Sequence, residues 1–72
     1  MDWDKVIRLC KRNGYCTEGH IALWTGKMGI TAYLAFRQLK LMCREGLLDD
    51  EDEGLRCVPS KGKIMFVRVG RE

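Results

Sequence analysis

Several features are scarce or absent in these 72 residues, and each absence narrows the class of protein. No apolar run approaches the roughly 20 residues that a bilayer-spanning helix needs. The acidic start MDWDKVIRLC lacks the basic and then apolar segments of a signal peptide, so we expect a cytoplasmic protein with no membrane partner. With one proline and 32% charged residues, the composition is typical of a globular chain and excludes a low-complexity segment.

Patterns that carry catalysis are also missing. No glycine-rich phosphate loop follows a strand, and no cysteine–histidine or serine–histidine–aspartate set is suggested by position. A chain of this length buries only about 60% of the surface that its unfolded form exposes, which leaves little room for a catalytic cleft. We therefore expect a single binding domain over residues 1–72 that is not an enzyme and has no cofactor and no small-molecule substrate.

The four cysteines are Cys10, Cys16, Cys43 and Cys57. Because no secretion signal is present, we predict reduced thiols and no disulfide framework. With His20 they could in principle bind zinc, but structural zinc sites bring cysteines in close pairs. Here five residues separate the first two cysteines and thirteen separate the last two. We predict no metal site, and we expect His20 to be a surface or capping residue.

The N-terminal half of the chain shows helical periodicity. Asp2 or Asp4 can cap a first helix that ends at Asn13-Gly14, and its apolar residues repeat on one face. A very short strand, YCT, leads to Thr17 as the cap of a second helix, EGHIALWT, which we expect to bury Ile21 and Trp24. Gly19 either lies inside this second helix, where glycine destabilises the helix by about 1 kcal/mol relative to alanine, or delays the start of the helix.

A third helix is predicted at about residues 31–45, with Thr31 as its N-cap and Gly46 as its stop. The segments Leu55–Pro59 and Ile64–Val69 then form two strands separated by a Ser-Lys-Gly-Lys turn, which predicts a C-terminal antiparallel β-hairpin. Leu47 and Leu48 could add a third strand. The expected fold class is α+β, and the core face of the third helix is Ala32, Ala35, Leu39, Met42 and Cys43.

Opposite that core face the third helix carries Tyr33, Arg37, Lys40 and Arg44, spaced i, i+4, i+7 and i+11. This spacing places them on one strip of the helix surface. Three cations on one strip can neutralise phosphates and release counterions, and an arginine can bind a guanine edge through two hydrogen bonds. The alternative is an ordinary solvated helix face, and the stripe by itself does not decide between them.

The segment KMGITAYLAFRQLKLMCREGLL resembles the helix-turn-helix core of winged-helix DNA-binding proteins. Met28-Gly29-Ile30-Thr31 matches the turn of that class, Ala35, Leu39 and Met42 match its buried positions, and Gly46-Leu47-Leu48 matches its exit. The order of helices before this segment and the hairpin after it also fit. The resemblance therefore implies a winged helix-turn-helix with a three-helix core.

By this resemblance the third helix is the recognition helix and enters a DNA major groove with its N-terminal part nearest the bases. Thr31, Tyr33 and Arg37 then become groove contacts, while Lys40 and Arg44 are better placed for phosphates. The basic wing tip would be residues 60–63, with Lys61 and Lys63 touching the DNA backbone or the adjacent minor groove. The implied function is sequence-specific binding of double-stranded DNA by a small transcriptional or mobile-element regulator.

The chain departs from the winged-helix pattern at Leu34, Phe36 and Leu41, which DNA-binding members keep polar or small. Burial explains Phe36, whereas Leu34, Leu41 and Trp3 are candidates for a protein interface that would serve a homodimer or a partner protein. A further departure is the acidic segment 49–53, whose five carboxylates would repel phosphate if they lay near the DNA. Acidic runs are most often solvated loops. The rival interpretation is therefore a winged-helix domain that recognises protein and does not bind DNA.

Overall fold

The computed structural model describes residues 2–69. Its three α-helices and three-stranded antiparallel sheet form a small α+β fold, which confirms the predicted fold class at that level. The predicted domain over 1–72 also includes Met1 and residues 70–72, which lie outside the described residues. The elements in chain order are α1 (Trp3–Asn13), β1 (Tyr15–Cys16), α2 (Glu18–Thr25), α3 (Ile30–Arg44), β2 (Leu55–Ser60) and β3 (Lys63–Arg68).

The first two helices begin at side-chain caps that the sequence predicted. Asp2 Oδ1 accepts a hydrogen bond from the backbone N–H of Lys5 at 3.1 Å, and Gly14 ends α1 in a left-handed conformation. At α2, Thr17 Oγ1 accepts from the His20 N–H at 3.3 Å, and His20 Nδ1 accepts from the Thr17 N–H at 3.1 Å. This reciprocal capping box satisfies two helix-terminal donors and confirms that His20 is a capping residue.

The helix starts settle one open alternative and correct one prediction. α2 begins at Glu18, so Gly19 lies inside the helix and does not delay it. α3 begins at Ile30 with Gly29 as N-cap, and no side chain caps this end, so Thr31 is an exposed residue of the first turn. The positive φ of 62° at Gly29 suits glycine and sets the direction of the chain one residue before Thr31.

The end of α3 is fixed by Gly46, as its position in the sequence indicates. The Leu47 N–H donates to the Met42 carbonyl at 3.0 Å, and the Gly46 N–H donates to the Cys43 carbonyl at 3.1 Å. These two bonds, together with the positive φ of Gly46, form the Schellman motif that closes a helix C-terminus.

The sheet has the order β1-β3-β2, so β3 is the central strand. β2 and β3 pair antiparallel from Leu55 opposite Arg68 to Ser60 opposite Lys63, and the two-residue turn 61–62 joins them. The third strand is β1, with Cys16 opposite Ile64. The suggestion that Leu47 and Leu48 add a strand is therefore wrong.

The core lies between the helices and one face of the sheet. Its fully buried side chains come from every helix and from β3, and include Val6, Ile21, Leu39 and Ile64. The predicted core face of α3 is buried, except that Met42 is only partly so. Phe36 is buried as expected, while Trp24 is half-buried and packs against the edge of this core.

The cysteines form two pairs, each between a helix and an edge strand. Cys43 of α3 and Cys57 of β2 are joined by a disulfide, with their Cα atoms 5.4 Å apart. The prediction of reduced thiols is therefore wrong for this pair, because packing of α3 on β2 brings the two cysteines within the usual Cα–Cα range. Cys10 and Cys16 are buried free thiols. The hydrogen bond to Cys10, with burial, raises the pKa of Cys16 and keeps it protonated.

Candidate nucleic-acid interface

α3 brings its predicted polar residues to one exposed face. Tyr33 is 45% exposed, Arg37 and Arg44 are exposed, and Lys40 is half-buried. We call these four residues the cationic stripe. Together with Phe36 and Leu41 they line a shallow concavity of about 320 Å³ along the helix.

No residue of the cationic stripe forms an ion pair with a carboxylate in the part of the chain that the structure describes. Between residues 2 and 69, the ion pair that the structure contains joins Lys11 Nζ to Asp50 Oδ2 at 3.4 Å and involves no residue of α3. Lys40 Nζ lies 5.9 Å from the centroid of the Phe36 ring, so its ammonium group is positioned by an aromatic ring and not by a carboxylate. The stripe is therefore available to an external polyanion.

Thr31 is not brought together with the cationic stripe. It is exposed, but it precedes Tyr33 by two residues, which at about 100° per residue places it roughly 160° away around the helix. Thr31 accordingly does not line the concavity. If α3 enters a groove, Thr31 faces the opposite side of that groove from Arg44.

A strip of exposed apolar residues lies beside the cationic stripe. Leu34 is 52% exposed and Leu41 46%, as their departure from the winged-helix pattern suggested. Ile30 is 70% exposed and lies one turn before Leu34, so it extends the same strip. The sequence interpretation missed Ile30, although its i, i+4 spacing to Leu34 was available. Trp3, the third predicted interface residue, is half-buried and packs against the core.

The acidic segment 49–53 is partly structural. Asp49 Oδ1 accepts a hydrogen bond from the Cys57 N–H at 2.9 Å, and Asp50 Oδ1 accepts from the Glu53 N–H at 3.2 Å. The hydrogen bond from Glu53, followed by that from Lys11, lowers the pKa of Asp50. Glu51, Asp52 and Glu53 are exposed. Two of the five carboxylates therefore accept hydrogen bonds within the fold, although Asp49, one of these two, is also exposed.

The two lysines of the predicted wing tip differ in their surroundings. Lys61 is exposed in the turn between β2 and β3. Lys63 is half-buried at the start of β3, and its Nζ lies 5.7 Å from the centroid of the Tyr15 ring. Lys61 is thus the freer of the two, while Lys63 is held against β1.

α1 carries a second set of cations that the sequence interpretation missed. Lys5, Arg8 and Arg12 are exposed and spaced i, i+3 and i+7, so they lie on one side of the helix. With Leu9 they line a concavity of about 360 Å³. The i, i+3, i+7 spacing of these cations is visible in the sequence and identifies this set, the α1 stripe.

No group of three or more histidine, cysteine or acidic side chains within residues 2–69 is arranged to hold a metal ion. In the same part of the chain, no helix is both long and apolar enough to cross a bilayer. Comparisons with protein-family models, curated proteins and solved structures found no match to this chain. What the chain binds must therefore be argued from its own side chains.

Proposed function

We propose that this chain is a winged helix-turn-helix domain that binds double-stranded DNA in a sequence-specific manner, as a small transcriptional or mobile-element regulator. The observation that carries the proposal is the cationic stripe, whose charges lie along one exposed face of α3 with no carboxylate paired to them in the described chain. Cations aligned on a helix match the spacing of phosphates along a groove, and their association with DNA is driven by counterion release.

The order of the elements supports the winged-helix part of the proposal. α2 and α3 are joined by a short connection at 26–29, as in a helix-turn-helix unit, and the antiparallel pair β2–β3 follows with a basic residue at its turn. In this arrangement α3 is the recognition helix and residues 60–63 are the wing tip.

The stripe residues have different proposed roles because they lie at different positions along α3. Arg37, near the middle of the helix, donates two hydrogen bonds to a guanine edge, and Tyr33 contacts a phosphate or a thymine methyl. Lys40 and Arg44 bind phosphates further along the groove. Thr31 contacts the opposite groove wall. Outside α3, the DNA backbone is contacted by Lys61 and Lys63.

Salt titration of binding to a random duplex tests the proposal. With about 4–5 phosphate contacts, the logarithm of the affinity should fall with the logarithm of salt concentration at a slope near −4. Arg37→Ala should weaken binding to the preferred site by about 1–3 kcal/mol, whereas Lys61→Ala should weaken binding to all sequences alike and by less. Arg56→Ala is the matched control, because Arg56 is exposed on β2 outside both cationic stripes. Unchanged affinity after Arg37→Ala would show that α3 is not part of the DNA interface.

A protein-interaction module is the second candidate function, favoured by the exposure of Ile30, Leu34 and Leu41. Apolar side chains in such a strip are typical of surfaces that a partner covers. A single domain of this size reads a short half-site, so the same strip could also serve a homodimer of the DNA-binding form. The salt titration separates the candidates, because a module that binds only protein shows no measurable duplex binding even at low salt.

A further inference from the structure

Lys5, Arg8 and Arg12, the α1 stripe, have no assigned role in the proposed DNA complex. All three are exposed, and within residues 2–69 none of them forms an ion pair. Lys11, on the same helix, is the contrast, because its ammonium group pairs with Asp50. Asp4 lies one turn before Arg8 without pairing to it. The α1 stripe is therefore a separate cationic surface with its charges available.

The two cationic surfaces face away from different sides of the domain. α1 packs against β1 and α2, whereas α3 packs against α2 and β2. Since β1 and β2 are the two edges of the sheet with β3 between them, the two helices lie over opposite edges. Val6 of α1 and Leu39 of α3 point into one common core, so each helix presents its cations outward from that core.

We propose that the α1 stripe is a second DNA-binding surface, through which one domain bridges two duplexes. This inference rests on the proposed function, because α3 must hold the first duplex. The partner is identified by charge. Three cations spaced along two helical turns, none of them in an ion pair within residues 2–69, match a line of phosphates, and the nearby carboxylates Asp2 and Asp4 lie at the Lys5 end of the stripe. The three cations run along the outer side of α1 and are not gathered at a helix start aimed into a groove, so we expect them to contact phosphates and to bind independently of sequence.

Capture of one duplex by another measures bridging directly. A short duplex is attached to beads, a fluorescent duplex is added in solution with the full chain, and the retained fluorescence is recorded. Binding of a single duplex is measured separately by fluorescence anisotropy. The double variant Arg8→Gln with Arg12→Gln should reduce capture by about tenfold or more while changing single-duplex affinity by no more than about twofold.

Two controls make the result specific. Arg37→Gln with Arg44→Gln removes the same charge from α3 and should abolish capture and sequence-specific binding of a single duplex, leaving only the weak, sequence-independent binding that the α1 stripe provides. Arg8→Lys with Arg12→Lys keeps the positive charge and should retain capture, because a phosphate contact needs a cation but not the planar guanidinium group of arginine. All substituted side chains are exposed, so thermal denaturation should show each variant folded.

Three outcomes would overturn the inference. If the wild-type chain binds one duplex but does not capture a second, the α1 stripe is not a bridging surface, although the proposed function survives. If the α1 glutamine variant still captures, bridging arises elsewhere, for example from a homodimer that presents two copies of α3. If no duplex is bound at all, the proposed function fails, and bridging fails with it.

Discussion

Replacing Asp49 with alanine should destabilise the fold, whereas replacing its neighbour Glu51 should not. β2 is an edge strand, because it pairs with β3 on one side only. On its open side, Leu55 exchanges backbone hydrogen bonds with Asp50, at 2.8 and 2.9 Å, and the Cys57 N–H donates to Asp49 Oδ1 at 2.9 Å. The start of the acidic segment therefore covers the exposed edge of the sheet.

The expected magnitude follows from the burial of the donor. Cys57 is 5% exposed, so without the Asp49 carboxylate its N–H has little access to water. Leaving such a donor unsatisfied costs about 1–3 kcal/mol. A domain of this length has a free energy of unfolding of about 4–11 kcal/mol, so the loss is a substantial part of the total. It corresponds to a fall in Tm of at least about 4 °C.

Far-UV circular dichroism during thermal and urea denaturation measures this effect. Asp49→Asn keeps an acceptor oxygen and should lose less stability than Asp49→Ala. Glu51→Ala, which removes an exposed carboxylate from the same segment, should stay within about 0.5 kcal/mol of the wild type. Equal stability of the Asp49→Ala and Glu51→Ala variants would show that the hydrogen bond to β2 contributes nothing and that the whole segment is solvated.

Two further predictions concern stability under reducing and acidic conditions. The Cys43–Cys57 disulfide closes a loop with a sequence separation of 14, so its reduction should lower the free energy of unfolding by about 3 kcal/mol. Identical urea midpoints with and without a phosphine reductant would contradict this prediction. The hydrogen bond from Glu53 and the interaction with Lys11 lower the pKa of Asp50 in the folded state. The ionised carboxylate therefore stabilises the fold above the unfolded-state pKa of about 3.9, and this stabilisation is lost as the pH falls toward the folded-state pKa. Asp50→Asn should therefore lose less stability than the wild type over that acidic range, and parallel pH profiles would refute the assignment.

Local sequence signals predicted the parts of the fold that depend on neighbouring residues. The caps at Asp2 and Thr17 and the buried face of α3 follow from hydrogen bonds and periodicity within one or two turns. The short strand at YCT was predicted correctly, but the cysteine pair and the source of the third sheet strand were not, because each depends on contacts between distant segments. Cys43 meets Cys57 only once α3 packs on β2, and β1 joins the sheet by pairing with Ile64, far along the chain.

In the candidate site, too, features set by neighbouring residues were predictable and features set by distant contacts were not. The spacing of the cationic stripe on α3 was readable from the sequence, because helix periodicity alone places Arg37 and Arg44 together. The sequence could not show whether those cations pair with the domain's own carboxylates. Asp49 and Asp50 are held by hydrogen bonds from Cys57 and Lys11, which belong to other elements of the fold. The sequence suggested that the acids might oppose DNA, and it could not indicate that two of them act within the fold.

The four exposed carboxylates of the acidic segment, Asp49, Glu51, Asp52 and Glu53, set the size of the remaining electrostatic objection to DNA binding. A carboxylate about 10 Å from a phosphate in water repels it by about 0.4 kcal/mol, and salt at physiological ionic strength screens much of that energy over the same distance. Four such carboxylates together oppose binding by about 1.6 kcal/mol before this screening. In the proposed complex, one arginine bound to a guanine contributes about 1–3 kcal/mol and Lys40 and Arg44 add phosphate contacts, so we expect the α3 contacts to outweigh this repulsion. Because the segment follows the C-terminal end of α3, the repulsion acts mainly near Arg44, and sequence discrimination in the proposed complex should depend on Arg37.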